Sequence, residues 1–206
     1  MIDKFVPSLA EAMAGIQDGA TVLVAGFGPG TPIALMRGLA EQGARDLTLV
    51  MNAGGRDDGP VAELLATGHI RKLICSFVRA DSVAGRLYAK GTLAERIRAA
   101  GVQAFFTPTA ADTILAEGRE TRVINDRLCL LEYPIFGDVA LIDAWQADRF
   151  GNLTHRDSAR NFNPVMAMAA KLSIAQTAHV VELGAIPPEN VHTAGVFVRR
   201  VLHIPV

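Results

Sequence analysis

Three glycines fall within five residues in Gly26-Phe27-Gly28-Pro29-Gly30, and Thr31-Pro32 follow directly. Ahead of them, Thr21-Val22-Leu23-Val24-Ala25 is an apolar run that reads as a buried strand. Behind them, Ile33 to Ala40 reads as a helix, with Thr31 suited to its N-cap and Pro32 to its first turn, where no N–H is needed. A strand, a glycine loop and a helix start together present backbone N–H groups at the positive end of a helix dipole. The chemistry this offers is anion binding or stabilisation of a developing oxyanion. The missing side chains also let a ligand approach the backbone closely. A dinucleotide fingerprint is excluded by spacing, because the loop is G-x-G-x-G and the next strand ends at Val50-Met51-Asn52 with no acidic residue. A tight turn without a ligand is the plain alternative.

Two more small-residue loops follow apolar runs: Asn52-Ala53-Gly54-Gly55 and Thr107-Pro108-Thr109-Ala110-Ala111. Open α/β sheets bind ligands at strand carboxyl ends, so all three loops are expected on one edge of the sheet. The candidate binding residues are therefore Gly26, Phe27, Gly28, Gly30, Thr31, Asn52, Ala53, Gly54, Thr107 and Thr109. No nucleophile–base pair is legible. Glu95 fits a capping box with Thr92, Glu117 and Glu120 lie in a polar turn, and Glu132 ends a strand before Pro134. None of these glutamates has a sequence neighbour that would activate it. Cys75 and Cys129 sit in apolar segments and read as buried free thiols, and the five histidines show no metal-ligand spacing.

The elements that position these loops follow a β-loop-α rhythm. Its strands are continuous apolar runs, as at Leu47-Thr48-Leu49-Val50-Met51 and Arg71 to Phe77. Such runs mark strands covered on both faces. The predicted fold is α/β, an open, largely parallel sheet with helices on both faces, in one domain over residues 1–206. Helices are predicted at Ser8–Ala14 (capped by Ser8), Val61–Ala66, through most of 78–101, and at Val165–Lys171, where a methionine stripe reads as packing. Further strands are predicted at Gln103–Thr107, Val139–Ile142, Ser173–Gln176, Val180–Glu182 and Val196–Val198, the last closing the sheet. Asn125-Asp126 reads as a hairpin turn. Half of the 206 residues are hydrophobic and the net charge is −1 with both signs mixed. That supports a real core and argues against a nucleic-acid surface or a polybasic membrane patch. No signal peptide or membrane-length apolar run is present, so a cytoplasmic location is expected.

Over nearly its full length the chain resembles the A (alpha) subunits of the 3-oxoacid coenzyme A transferases. The resemblance rests on Gly26-Phe27-Gly28 with Gly30-Thr31-Pro32, Ala44 to Thr48, GTLAERIRAAG from Gly91 to Gly101, and Phe106-Thr107-Pro108-Thr109. It continues in Ala116-Glu117-Gly118, Asp148-Arg149 with Gly151-Asn152-Leu153, SARNFNP from Ser158 to Pro164, and His192-Thr193 before Gly195 to Val198. Cys75-Ser76-Phe77 and Val180 to Gly184 look most like members acting on 3-oxoadipate with succinyl-CoA.

The resemblance implies a ping-pong reaction in which a glutamate carboxylate attacks an acyl-CoA thioester, that glutamate lying on the B subunit. It implies no cofactor, coenzyme A being part of a substrate. The partners it implies are a B subunit, an acyl-CoA and a 3-oxo acid, in a hetero-oligomer. The alpha chain then contributes wall, loop dipoles and acid-binding surface. There are departures from the family pattern. The glycine loop is one residue shorter and contains Pro29, and a strand ending in Gln before Gly91 is missing, with Lys90 in its place. Ala110 and Asp112 replace glycines, and Ala194 replaces a proline. Lys90 is a candidate for a distal carboxylate or a CoA phosphate, with a solvated surface lysine as the alternative. The alternative reading of the whole chain is a non-catalytic paralogue that binds acyl-CoA or a dicarboxylate, or only assembles with a partner. A third is another α/β enzyme, such as an acyl-CoA hydrolase.

Overall fold

The computed structural model describes residues 2–54, 59–76 and 92–205. The chain opens with β1 (Phe5–Val6), α1 (Leu9–Met13), β2 (Thr21–Val24), α2 (Ile33–Gln42), β3 (Leu47–Met51), α3 (Pro60–Ala66) and β4 (Ile70–Ile74). After α4 (Leu93–Arg98) come β5 (Phe105–Thr107), β6 (Thr121–Ile124), β7 (Arg127–Glu132), β8 (Gly137–Ala147) and β9 (Leu153–Thr154). The chain then forms α5 (Asn163–Met168), β10 (Ala170–Val180) and β11 (Arg200–His203). The main sheet runs β1-β11-β10-β8-β2-β3-β4, parallel throughout, with β9 added antiparallel to β8.

Alternation along each strand divides the core in two. Val22, Val24, Leu49 and Leu141 pack with Met13, Leu35, Leu39 and Leu64 of α1, α2 and α3. Leu23, Val50, Ala140 and Ile142 pack on the other side with Leu93, Ile97 and Met166 of α4 and α5. Both faces are therefore apolar and helix-covered, which is why these strands are unbroken hydrophobic runs. The predicted architecture stands. Ser8 caps α1, its Oγ accepting from Glu11 N at 3.2 Å. Gly43, at φ 89°, ends α2 as a left-handed C-cap. Cys75 and Cys129 are both buried and free, and burial pushes the Cys75 thiol up.

Several expectations are corrected. The run Phe105–Thr107 is not a strand of the parallel sheet. It forms a separate three-stranded antiparallel sheet, β5-β7-β6, whose hairpin turns at Asn125 and Asp126, both at positive φ. Ser173–Gln176 and Val180–Glu182 are not two strands. β10 is one eleven-residue strand, held extended by its register against the equally long β8. Gly195–Phe197 is a 3-10 turn, and β11 with β1 closes the sheet. Thr92 makes no side-chain cap on α4, and Glu95 pairs with Arg98 at 2.8 Å, so there is no capping box. In α5, Met166 is packed while Met168 is half exposed. The predicted helical content of residues 78–91 and the strand end at Phe77 lie outside the described residues.

Candidate functional site

The glycine loop leaves the sheet just after β2, where Ala25 N donates to Leu141 O of β8 at 3.0 Å. Gly26, Gly28 and Gly30 have φ of 103°, 79° and 73°, a region that side chains disfavour. At Gly26 a Cβ would lie 2.6 Å from Thr31 Cα, and at Gly30 it would meet Ala159 O and stand 2.9 Å from Asn163 Nδ2. Gly28 faces open space. Two glycines thus allow the loop to fold on itself and against its neighbours, and the third leaves room for a ligand.

Thr31 does not cap α2. Its Oγ1 donates to Gly28 O at 2.8 Å, bracing the loop from within, and Pro32 takes the N-cap position. The first turn of α2 is served from elsewhere: Leu35 N donates to Gln176 Oε1 of β10 at 3.3 Å. The N–H groups of Gly28 and Gly30 carry no hydrogen bond among the described residues.

A cavity of about 290 Å³ opens beside the loop. Gly26, Phe27, Gly28 and Thr31 form one wall, Ile33 and Met36 of α2 the next, and Met51, Ala53 and Val61 the far side. Phe27 is 55% exposed and Ile33 39% exposed, giving the mouth an apolar rim. No titratable side chain lines the cavity among the described residues.

Of the residues picked from sequence, Gly26, Phe27, Gly28, Thr31 and Ala53 meet at this cavity. Asn52 is buried behind it, its carbonyl accepting from Ser76 N at 2.9 Å and tying the ends of β3 and β4. Gly30 is turned toward α5, and Gly54 follows Ala53 without lining the cavity. Thr107 lies in the separate antiparallel sheet, and Thr109 N bonds Thr107 Oγ1 at 3.2 Å. Among the described residues neither threonine lines this cavity, which two of the three expected loops form. Lys90 lies outside the described residues.

Sequence reasoning misses what holds the loop. Asn161 Nδ2 donates to Pro29 O at 3.0 Å and to Ser158 O at 2.9 Å. Asn163, fully buried, donates to Gly30 O at 3.1 Å and Ala159 O at 2.7 Å, while its Oδ1 accepts from Asp143 N at 2.7 Å. The stretch Ser158–Pro164 is thus the anchor of the glycine loop from behind. Two asparagines flanking Phe162 at the start of α5 are the available signal, but nothing in their spacing names the loop as their target.

Other ionisable groups are structural. Glu132 is buried between Arg119 Nη2 at 2.8 Å and Arg96 Nε at 3.4 Å, which ties the small sheet to α4. Burial raises the Asp143 carboxyl above the usual carboxylate range, opposed by a bond from Gln176. Burial lowers the His155 imidazole to about 4, so it is neutral at pH 7. It bonds Asp143 O and Thr193 Oγ1, both at 2.9 Å. Among the described residues no three His, Cys, Asp or Glu side chains group as metal ligands, and no helix is long and apolar enough to cross a membrane.

Comparison with known proteins agrees with this fold. The alpha chain (A) of the 3-oxoadipate CoA-transferase of Pseudomonas putida is 48% identical over 219 aligned positions, covering 99% of this chain and 95% of that one. The corresponding chain of the succinyl-CoA:3-ketoacid coenzyme A transferase of Xanthomonas campestris pv. campestris (strain B100) is 44% identical, covering 93% and 85%. The crystal structure of an acyl-CoA transferase from E. coli O157:H7, in a thioester complex with CoA, superposes with a TM-score of 0.84 at 20% identity. That match covers 98% of this chain and 47% of the longer one, and it supports the fold alone. The model of the coenzyme A transferase family matches residues 6–203. With that span and with relatives near half identity over almost their whole length, the chain belongs to the coenzyme A transferase family.

Proposed function

We propose that the chain is the alpha (A) half of a 3-oxoacid CoA-transferase that moves coenzyme A between succinyl-CoA and a 3-oxo acid, 3-oxoadipate or acetoacetate. The observation that carries this reading is a cavity at a glycine loop whose described walls hold no nucleophile, in a chain 48% identical to the alpha chain of a 3-oxoadipate CoA-transferase. A cavity with backbone donors and apolar walls but no carboxylate is half of an active site, and a partner B subunit supplies the nucleophile. A glutamate carboxylate of that partner attacks the thioester carbonyl and expels CoA as thiolate, leaving an acyl–glutamyl anhydride. The thiolate then attacks the glutamyl carbonyl, forming an enzyme–CoA thioester and releasing succinate. The incoming 3-oxo acid reverses both steps, so atoms and charge balance without a further cofactor.

This chain's part is electrostatic and steric. The N–H group of Gly28, which carries no hydrogen bond among the described residues, donates to the oxyanion or the acid carboxylate. Phe27, Ile33, Met36 and Val61 exclude water from the reacting thioester. Assembly with its B-type partner, a CoA-transfer assay across short 3-oxo and dicarboxylic acids, and borohydride trapping followed by peptide mapping test the scheme. The mass change is expected on a partner glutamate, with no transfer by this chain alone. A modified glutamate in this chain, or robust transfer without the partner, refutes it. Assembly without transfer for any acid points to the non-catalytic alternative.

A further inference from the structure

Asp143 stands in β8 two residues beyond Leu141, the last rung shared with β2, at the level where the chain leaves the sheet into the glycine loop. Three of its polar groups are held by side chains from three separate segments of the chain. Its N–H donates to Asn163 Oδ1 of α5 at 2.7 Å, its carbonyl bonds His155 Nδ1 at 2.9 Å, and its Oδ1 accepts from Gln176 Nε2 of β10 at 2.8 Å. Two of those partners continue to the site. Asn163 Nδ2 reaches Gly30 O, and Gln176 Oε1 receives Leu35 N. One residue is therefore joined, through two carboxamides, to the last glycine of the loop and to the first turn of α2.

We infer that Asp143 is a positioning residue for the glycine loop, its carboxyl accepting from Gln176 and its backbone N–H donating to Asn163, and not an acid, base or nucleophile. The inference rests on the reading of that loop as the substrate contact. Three observations support it. Asp143 does not wall the cavity, so it does not touch the reacting atoms. Its carboxyl has no Lys or Arg partner among the described residues, and its one polar side-chain partner, a neutral amide, serves any oxygen acceptor alike. The helix it supports has no cap of its own, because Pro32 occupies the N-cap position without a side-chain bond and Thr31 is turned back to Gly28. A carboxamide pinned at one end by Asp143 replaces that cap. Without that pin, the glutamine loses rotamer entropy each time it meets Leu35 N.

The test uses the chain assembled with its B-type partner and three variants: Asp143→Asn, Asp143→Leu and Gln176→Met. The readouts are kcat and KM for CoA transfer, and amide hydrogen exchange across residues 26–36 and across Leu47–Met51. Asp143→Asn keeps an Oδ1 acceptor for Gln176 and is expected within about threefold of the parent in kcat/KM. Gln176→Met and Asp143→Leu are expected to fall about 10- to 100-fold, mainly in kcat, as the loop loses its placement. Exchange quickens in 28–36 in both, while Leu47–Met51 stays protected. If Asp143→Leu fails to assemble, the Asp143→Asn and Gln176→Met pair decides. Loss of activity in Asp143→Asn equal to that in Gln176→Met means the charge or the proton is what matters and overturns the inference. So does unchanged loop exchange in Gln176→Met. Faster loop exchange with undiminished turnover upholds the positioning role and instead refutes the loop as the substrate contact.

Discussion

Asn163→Ala removes three hydrogen bonds at once from a side chain with no solvent exposure. Each such bond contributes about 0.5–1.5 kcal/mol net, and the Asp143 N–H left behind is a donor with nothing to replace its partner. The expected loss is about 3 kcal/mol, a large share of the roughly 5–15 kcal/mol that holds a domain together. For a chain of this size that corresponds to about 6–12 °C in Tm. Asn163→Asp separates the two roles of the side chain. One carboxylate oxygen still accepts from Asp143 N, but the other replaces the donor and faces the carbonyl oxygens of Gly30 and Ala159. That contact is repulsive while the carboxylate is charged and becomes a hydrogen bond when it is protonated. The folded pKa of the new group therefore rises above its unfolded value of about 3.9. The folded state then binds more protons than the unfolded one between the two pKa values. Stability falls as pH rises through that window and is lowest above it. Urea unfolding at pH 7.5 and pH 5, with constant m, reads this directly. Asn163→Asp is expected below Asn163→Ala at pH 7.5 and to recover at pH 5. An Asn163→Ala loss under about 1 kcal/mol, or two variants that track each other at both pH values, refutes the assignment of Asn163 as the loop anchor.

Four further outcomes are expected. His155, held near 4 against about 6.5 unfolded, takes up fewer protons folded than unfolded, so stability falls as pH drops from about 6.5 toward 4, by at most roughly 3 kcal/mol; His155→Gln loses that slope in urea titrations. Gly26→Ala, which drives a Cβ into Thr31, costs more in thermal unfolding than Gly28→Ala, which meets only the φ penalty of about 1–2 kcal/mol; Gly28→Val impairs turnover of the assembled enzyme more than it impairs folding. Glu132→Gln leaves two guanidiniums without their buried counter-charge, costs about 3 kcal/mol and frees the β5-β7-β6 sheet to limited proteolysis. Lys90→Ala raises KM for a dicarboxylic 3-oxo acid and not for a monocarboxylic one; equal effects on both, or none, assign Lys90 to the surface.

What is legible in the sequence is what short-range chemistry dictates. The strands at Thr21–Val24 and Leu47–Met51 are apolar on both faces because both faces are covered, and Gly43 marks the end of α2 by its backbone alone. Asn125-Asp126 announces its turn in the same way. Long-range partners leave no such mark. Thr31-Pro32 has the composition of a helix cap, yet the acceptor that serves Leu35 is Gln176, 141 residues away. Phe105-Phe106-Thr107 is too short for periodicity to distinguish a parallel strand from an antiparallel one, and so periodicity places Thr107 and Thr109 on the wrong sheet. The eleven residues of β10 include His179 and a Gln-Thr pair, so only the register against β8 shows them to be one strand. Asn161 and Asn163 are visible as part of a motif, but the carbonyls they grip belong to a loop more than 130 residues earlier.

The strand order also sets a timetable. β2, β3 and β4 are neighbours in both sequence and space, so this βαβ unit can form while the chain is still being synthesised. β8 reaches β2 only after more than a hundred intervening residues have emerged, and the loop anchors at Asn161 and Asn163 arrive later still. Phe5 and Val6 have no ladder until Val201 and Leu202 exist, because among the described residues β1 pairs with β11 alone. The glycine loop therefore spends most of the chain's synthesis flanked by only one of its supports. Such distant pairing predicts slow folding in which the glycine loop gains its supports late.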